Sequence, residues 1–226
     1  AAQMKRMREF GFTSTIMPRQ PSVAGVNVSK GTVDMRFPTV AFEAVREAGL
    51  AATPDQPLLM GQLGIARSIA RSIPAIRGAV VDQQPGVELK QPEFKALWFA
   101  AMKQYKAFME EQKLPYVMEI VDEPREVPNP WNRNRDDAQT YGDWMAELGI
   151  VRFITPMSDS SGGKDYVTLV DHTDIISIHA TPGAAKLMAR TKAAGKTLWF
   201  YNSGMSRFMW GVYPWAHGAK GRFEWH

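Results

Sequence analysis

Two adjacent carboxylates, Asp122 and Glu123, close an apolar run, Tyr116-Val-Met-Glu-Ile-Val, and Pro124 stops it. Two acids this close cannot both ionise freely. Their repulsion, with burial, raises one pKa and leaves a protonated acid beside an anion near neutral pH. Cleavage of a glycosidic bond needs that division of labour, a proton for the departing oxygen and a negative charge for the oxocarbenium-like centre. The run has strand character, and in parallel α/β sheets and barrels the C-terminal edge of the strands carries the chemistry. Side chains alternate along a strand, so Glu119 and Glu123 share one face and Asp122 lies on the other. Asp122 joins them if the strand twists or bulges at its end. By the same parity Ser177 and His179, in the run Ile175–Thr181, share an inward face.

The elements that must place these residues follow a regular rhythm. A helix over 1–10 ends at Gly11, and a strand over 12–17 ends at Pro18. A hairpin pairs 26–29 with 32–36 around Lys30-Gly31, and Thr39 caps a helix to about 48. A strand over 58–63 leads to a segment rich in Arg, Ile and Ala that has no clear placement. The longest helix is expected over 92–113, where Phe94, Leu97, Trp98, Ala101, Tyr105, Phe108 and Met109 recur at three- and four-residue steps. After the carboxylate strand come a loop over 125–135, a helix from Asp136 to about 148, and a strand over 151–155. A flexible polar loop over 158–164 and a turn over 168–171 follow, and then a strand over 175–179. The order closes with a helix over 182–194, a strand over 197–202, an irregular segment over 206–218 and a last strand over 221–225. This alternation predicts a parallel α/β fold, a (β/α)8 barrel of the TIM type with its first βα unit missing at the N-terminus. A single barrel domain over 1–226 is expected.

Composition narrows the function. The chain of 226 residues carries 27 basic and 23 acidic side chains, a balance of +4, with no basic block and no nucleic-acid-reading motif. Nucleic acid is not an expected partner. With no cysteine there is neither a disulfide framework nor a thiolate metal site. The four histidines are not spaced as zinc ligands, so no metal is expected. No glycine-rich phosphate loop is present, and no cofactor is called for. No apolar run reaches the length of a membrane span. Seven tryptophans stand out, and Trp199, Trp210, Trp215 and Trp225 fall within the last 28 residues. Indoles so clustered read either as core packing or as a platform for the apolar face of a sugar.

The stretches Asp122-Glu123-Pro124, Ile175-Ile-Ser-Ile-His-Ala-Thr181, Leu198-Trp-Phe-Tyr-Asn202 and Trp210-Gly-Val-Tyr-Pro-Trp-Ala-His-Gly-Ala-Lys-Gly221 resemble the catalytic barrel of glycoside hydrolase family 123. They are equally similar to the uncharacterised glycoside-hydrolase-like barrels around it. The resemblance covers residues 92–226 well and the first 90 poorly. It implies a retaining, substrate-assisted glycosidase of the β-N-acetylgalactosaminidase type acting on a glycan substrate. Asp122 would orient the sugar's acetamide, and Glu123 would protonate the leaving oxygen and later activate water. Tyr201, Asn202 and His179 would bind substrate polar groups, with Trp199, Trp215 and Trp225 as the hydrophobic wall. It also implies a location outside the cytoplasm and a β-rich N-terminal domain that this chain lacks.

Two rival expectations stand beside it. A carbohydrate-binding barrel without catalysis would keep the tryptophans and not the acid chemistry. A glycosidase acting on sugars without an acetamido group would need a protein nucleophile, for which Glu224 is the first candidate. A barrel that lacks a strand exposes an edge, a route to self-association.

Overall fold

The computed structural model describes residues 2–17, 19–81, 86–124, 135–156, 166–179, 184–204 and 206–224. The loop expected over 125–135 falls outside them except for Arg135, and the polar loop over 158–164 falls outside them entirely. Apart from the strand over 12–17, the expected strands and helices are present with shifted ends. They are the helices α1 (Ala2–Glu9), α2 (Thr39–Glu47), α3 (Leu63–Ser72), α4 (Arg77–Val81), α5 (Pro92–Gln112), α6 (Arg135–Glu147), α7 (Ala185–Ala193) and α8 (Tyr213–Ala216). The strands are β1 (Ser22–Asn27), β2 (Thr32–Arg36), β3 (Leu58–Gly61), β4 (Tyr116–Asp122), β5 (Arg152–Thr155), β6 (Ile175–Ile178), β7 (Thr197–Tyr201) and β8 (Gly221–Phe223).

β1 and β2 form an antiparallel hairpin, and β3 to β8 form a six-stranded sheet whose spatial order is the chain order. The pairs β5–β6, β6–β7 and β7–β8 are parallel. Strands that follow one another without inversion, with helical connections between them, are the topology of a (β/α) barrel that is incomplete. The fold expectation is met in this form.

Contacts divide the chain into two compact units, one made of residues 1–118 with 147–150 and the other of 119–146 with 151–226. In the first, α5 is the main core element. Phe94, Leu97, Trp98, Ala101, Tyr105 and Met109 are buried as the helical spacing predicts, Met102 joins them, and Phe108 is only half-buried. The buried indole N–H of Trp98 donates to Gln62 Oε1 at 3.1 Å, the partner a buried indole requires. Two local readings are corrected here. Thr39 is the first residue of α2 and not its cap, because Pro38 takes the N-cap position without a side-chain bond. Residues 12–17 lie against β3 through a single parallel bridge, Ile16 to Leu59, and do not extend into a full strand.

In the second unit, register decides what lies on the inner face. Parallel strands in register present side chains to the same side, and here Phe153, Ser177, Trp199, Tyr201 and Phe223 share one. Phe153 on β5 and Phe223 on β8 are separated by two intervening strands, yet their ring centroids are 6.1 Å apart. A flat sheet would keep them well over 10 Å apart, at about 4.8 Å per strand. The β5–β8 sheet is therefore strongly curved, with this face concave. Trp199 joins the same cluster at 6.1 Å from Phe153 and 6.3 Å from Phe223. The other end of the strands is clamped by Arg152. Its guanidinium bonds Asp174 through Nε and Nη2 at 2.8 and 2.9 Å and donates from Nη1 to the Gly142 carbonyl on α6 at 2.8 Å. Burial alone would raise the Asp174 pKa, but the bonds and charge of Arg152 outweigh it and hold the carboxyl below its usual range.

The curved face admits the Trp199 indole only because β8 opens with glycine. A Cβ at Gly221 would stand 2.7 to 2.9 Å from the indole ring atoms. Gly221→Ala is expected to cost about 1–3 kcal/mol of stability, measured by urea unfolding of the intact chain. An unchanged midpoint would show that the indole can move aside at no cost.

Candidate functional site

The β4 run folds as expected into a strand, but its exposure does not alternate. Tyr116, Glu119 and Asp122 are its less buried positions, a repeat of three that brings Glu119 and Asp122 toward the same neighbour. That neighbour is Thr155, the last residue of β5 and fully buried. Its Oγ1 lies 3.2 Å from Glu119 Oε1 and 3.1 Å from Asp122 Oδ1, and it accepts the Glu123 N–H at 3.3 Å.

A hydroxyl has one proton to give and two lone pairs to receive. It can donate to only one of the two carboxyls, and the other must then carry a proton and donate to it. The assignment that satisfies every atom has Thr155 donating to Asp122 and receiving from protonated Glu119 and from the Glu123 N–H. The electrostatics agree on which acid is neutral. Burial, and then the charge of Asp122, push the Glu119 pKa up to about 8, against the opposing pull of the Thr155 bond. Asp122 is also raised, by burial, and less so because Thr155 stabilises its anion.

The chain then turns sharply. Glu123 has φ +41°, a left-handed backbone that non-glycine residues seldom adopt and that places its carboxylate over the strand ends. The Tyr201 hydroxyl, at the end of β7, lies 3.4 Å from Glu123 Oε1 and 3.2 Å from the Thr155 carbonyl, so its single proton sits between two acceptors. Burial first, and then the charges of Glu123 and Asp122, raise the Tyr201 pKa far above that of a free phenol. It can serve as a donor and not as a base. His179, just past β6, packs its ring 4.1 Å from that of Tyr201 and brings Nε2 to 3.8 Å from Glu123 Oε1.

Four of the residues singled out from the sequence, Asp122, Glu123, His179 and Tyr201, are thus brought together. Asn202 follows Tyr201 at the same edge, also left-handed at φ +44°, with its N–H bonded to the Phe223 carbonyl at 3.2 Å. The tryptophans part company. Trp199 is only 6% exposed and belongs to the packed layer with Phe153 and Phe223, while Trp215 is 81% exposed on α8. Trp225 lies outside the described residues. Glu224 is held away from any nucleophilic role by an ion pair with Arg222, while it also accepts the Ser203 N–H at 3.2 Å. Two residues of the cluster had not been singled out as site residues. Glu119 was placed inward by parity but read as mid-strand, and Thr155 gave no signal beyond its position at a strand end. Among the described residues no group of three or more His, Asp or Glu is arranged to hold a metal ion, and no helix is long and apolar enough to cross a membrane.

No family model matches the chain, and no curated protein does. The solved structures similar to it include tryptophan synthase from M. tuberculosis in an open form with BRD0059 bound, at 14% identity and TM-score 0.47, covering 99% of this chain and 75% of that one. An aminoacrylate-bound form of the same enzyme matches at 15% identity and TM-score 0.44, with 99% and 74% covered. A ligand-free mutant form matches at 14% identity and TM-score 0.37. The resemblance to glycoside hydrolase family 123 is corrected: no model of that family recognises the chain. Substrate-assisted cleavage of acetamido sugars, and the glycan substrate that went with it, fall with the resemblance. The motifs that carried it were short, and the tryptophan wall among them is divided between core and surface.

The raised Glu119 pKa has a consequence for stability. Folded, Glu119 holds its proton to about pH 8, whereas unfolded it releases it near 4.5. The native state thus binds more protons across that window, so stability is complete below about pH 4.5 and falls as pH rises toward 8. The slope approaches ~1.4 kcal/mol per pH unit. Asp122 adds a contribution of the same sign. Denaturant unfolding across this range should show the fall, and Glu119→Gln should flatten it. Equal slopes in the two proteins would place the retained proton elsewhere.

Proposed function

We propose that the protein is an enzyme of the general acid–base type, moving protons on a small hydroxylated substrate in the manner of a lyase or isomerase. The observation that carries this reading is the single Thr155 hydroxyl set between two carboxyl oxygens, which pairs a neutral acid with an anion at the strand ends. A catalytic pKa does most near the working pH, and a carboxyl held to about 8 can donate where an ordinary one is already ionised.

In this reading Glu123 accepts a proton from the substrate's carbon or hydroxyl, and Glu119 gives its own proton either to an oxygen whose bond to carbon breaks or to a carbonyl oxygen that becomes a hydroxyl. One proton leaves the substrate and one arrives, so the pair ends with the proton on Glu123 and is reset by transfer back to Glu119. The Tyr201 hydroxyl, which cannot ionise here, donates a hydrogen bond to negative charge that develops on the substrate oxygen. Asp122 and Thr155 hold Glu119 in place. The left-handed turn at Glu123 supports the reading, because such strain persists where the surroundings fix a reactive group.

The test is a panel of neutral hydroxy-ketones, hydroxy-acids and polyols incubated with the protein in D2O. Conversion, or deuterium appearing at a carbon of one of them, is the expected result, read by mass spectrometry. Glu119→Gln and Glu123→Gln should each lower that rate by about 10²–10⁴-fold. Rates that both variants leave intact would rule out these carboxyls as the acid and base.

A further inference from the structure

Ser177 is fully buried, and its hydroxyl has no hydrogen-bond partner among the described residues. Buried hydroxyls are seldom left this way, and one that is calls for a physical reason. Its surroundings supply one. Ser177 pairs in register with Trp199 on β7. On the other side the β5–β6 register, Phe153 with Ile175 and Ile154 with Ile176, continues so that Thr155 stands beside Ser177. Parallel neighbours in register point to the same side, so the Ser177 and Thr155 hydroxyls occupy one layer of the concave face, on strands about 4.8 Å apart.

That layer has an apolar floor. Phe153 and Trp199 reach from the strands on either side of β6 and bring their rings to 6.1 Å. The polar atoms toward which Ser177 faces are those of the acid site. Thr155 Oγ1 holds Glu119, and two residues further along the same face of β6, His179 stands 3.8 Å from Glu123. No direct bond links Ser177 Oγ to Thr155 or Glu119 among the described residues, and a bridging water is the way two polar groups of one layer interact without touching. A buried water needs two to four polar partners, and here a serine hydroxyl and a carboxyl or threonine oxygen supply them.

We propose that Ser177 is a positioning residue of the acid site, its hydroxyl holding one water molecule against the Glu119–Thr155 pair. The proposal rests on the reading of Glu119 as the proton carrier. The water gives the Glu119 carboxyl a donor that counts when the acid is ionised, since the neutral acid commits its one proton to Thr155.

The test follows the Glu119 carboxyl by NMR in protein labelled with ¹³C at glutamate side-chain carbons, Glu119→Gln identifying its signal. The groups that face Glu119, namely Asp122, Glu123, Thr155 and Tyr201, stay unchanged in every sample. In Ser177→Ala the ionised carboxyl loses the water that stabilised it, and the Glu119 midpoint is expected to rise by about one pH unit. Ser177→Cys, which keeps a weak donor of similar size, should shift it less. A midpoint near 8 in the wild type that neither variant moves would overturn the water-held link while leaving the acid reading in place. A wild-type midpoint near the ordinary 4.5 would overturn both. A merely structural serine would alter unfolding without moving this titration.

Discussion

A single proton shared around one hydroxyl governs the rest of the site. Thr155 Oγ1 touches two carboxyl oxygens and a backbone N–H, and it has one hydrogen to give. Two ionised carboxylates at those distances would leave one oxygen facing another with nothing between them. The count of donors and acceptors thus requires a neutral acid, and burial selects Glu119 for it. Asp122, nearer to solvent, is left as the anion that Thr155 stabilises. Tyr201 is bound by the same logic, because a phenol surrounded by these carboxylates keeps its proton. The cluster contains two strong donors that do not ionise and at least one anion, an arrangement fixed by hydrogen-bond arithmetic as much as by charge.

The curvature of the sheet makes that arithmetic possible. Thr155 and Tyr201 lie on β5 and β7, two strands apart, yet the Tyr201 hydroxyl reaches the Thr155 carbonyl at 3.2 Å. Curvature of this degree must be filled from the inside, and Phe153, Trp199 and Phe223 fill it. Tyr201 stacks on Phe223 at 5.7 Å, so the aromatic layer also sets the angle at which its hydroxyl meets the carboxylates. Gly221 is the point where space was given up for this packing. The indole that looked suited to a sugar is in the layer that supports the acids.

How much of this was legible in the sequence differs from residue to residue. The β4 strand, its end at Asp122-Glu123-Pro124 and the α5 helix were readable, because local patterns of apolar residues and prolines determine them. The inward faces of Glu119, Ser177 and His179 followed from parity alone. The identity of the neutral acid did not. The Asp122–Glu123 adjacency gave no sign of Glu119, since what raises a pKa is burial and through-space charge, and the Thr155 that joins Glu119 to Asp122 lies more than thirty residues along the chain. Parity also failed at Asp122, where the strand's repeat of three replaces simple alternation. The tryptophans were ambiguous for a physical reason. An indole serves equally as core filler or as a stacking surface, and only its neighbours tell which. Motif resemblance inherited that ambiguity, since the tryptophans were part of what it matched.

Two left-handed residues, Glu123 and Asn202, end β4 and β7 on the edge where the carboxyls gather. Neither is glycine, so each holds an unfavourable backbone that something nearby must offset. At Glu123 the offset is visible. Its N–H bonds Thr155 Oγ1, and its carboxylate meets the Tyr201 hydroxyl, so the strained turn is secured at both ends by groups of the acid cluster. At Asn202 the N–H is secured by the carbonyl of Phe223, the residue on which Tyr201 stacks. Both turns are therefore fastened to the same few side chains that fix the proton count. A chain free to relax would not keep two such residues. Their retention means that the fold itself holds the Glu123 carboxyl and the Tyr201 hydroxyl at a set separation, so that neither must reorganise to meet the other.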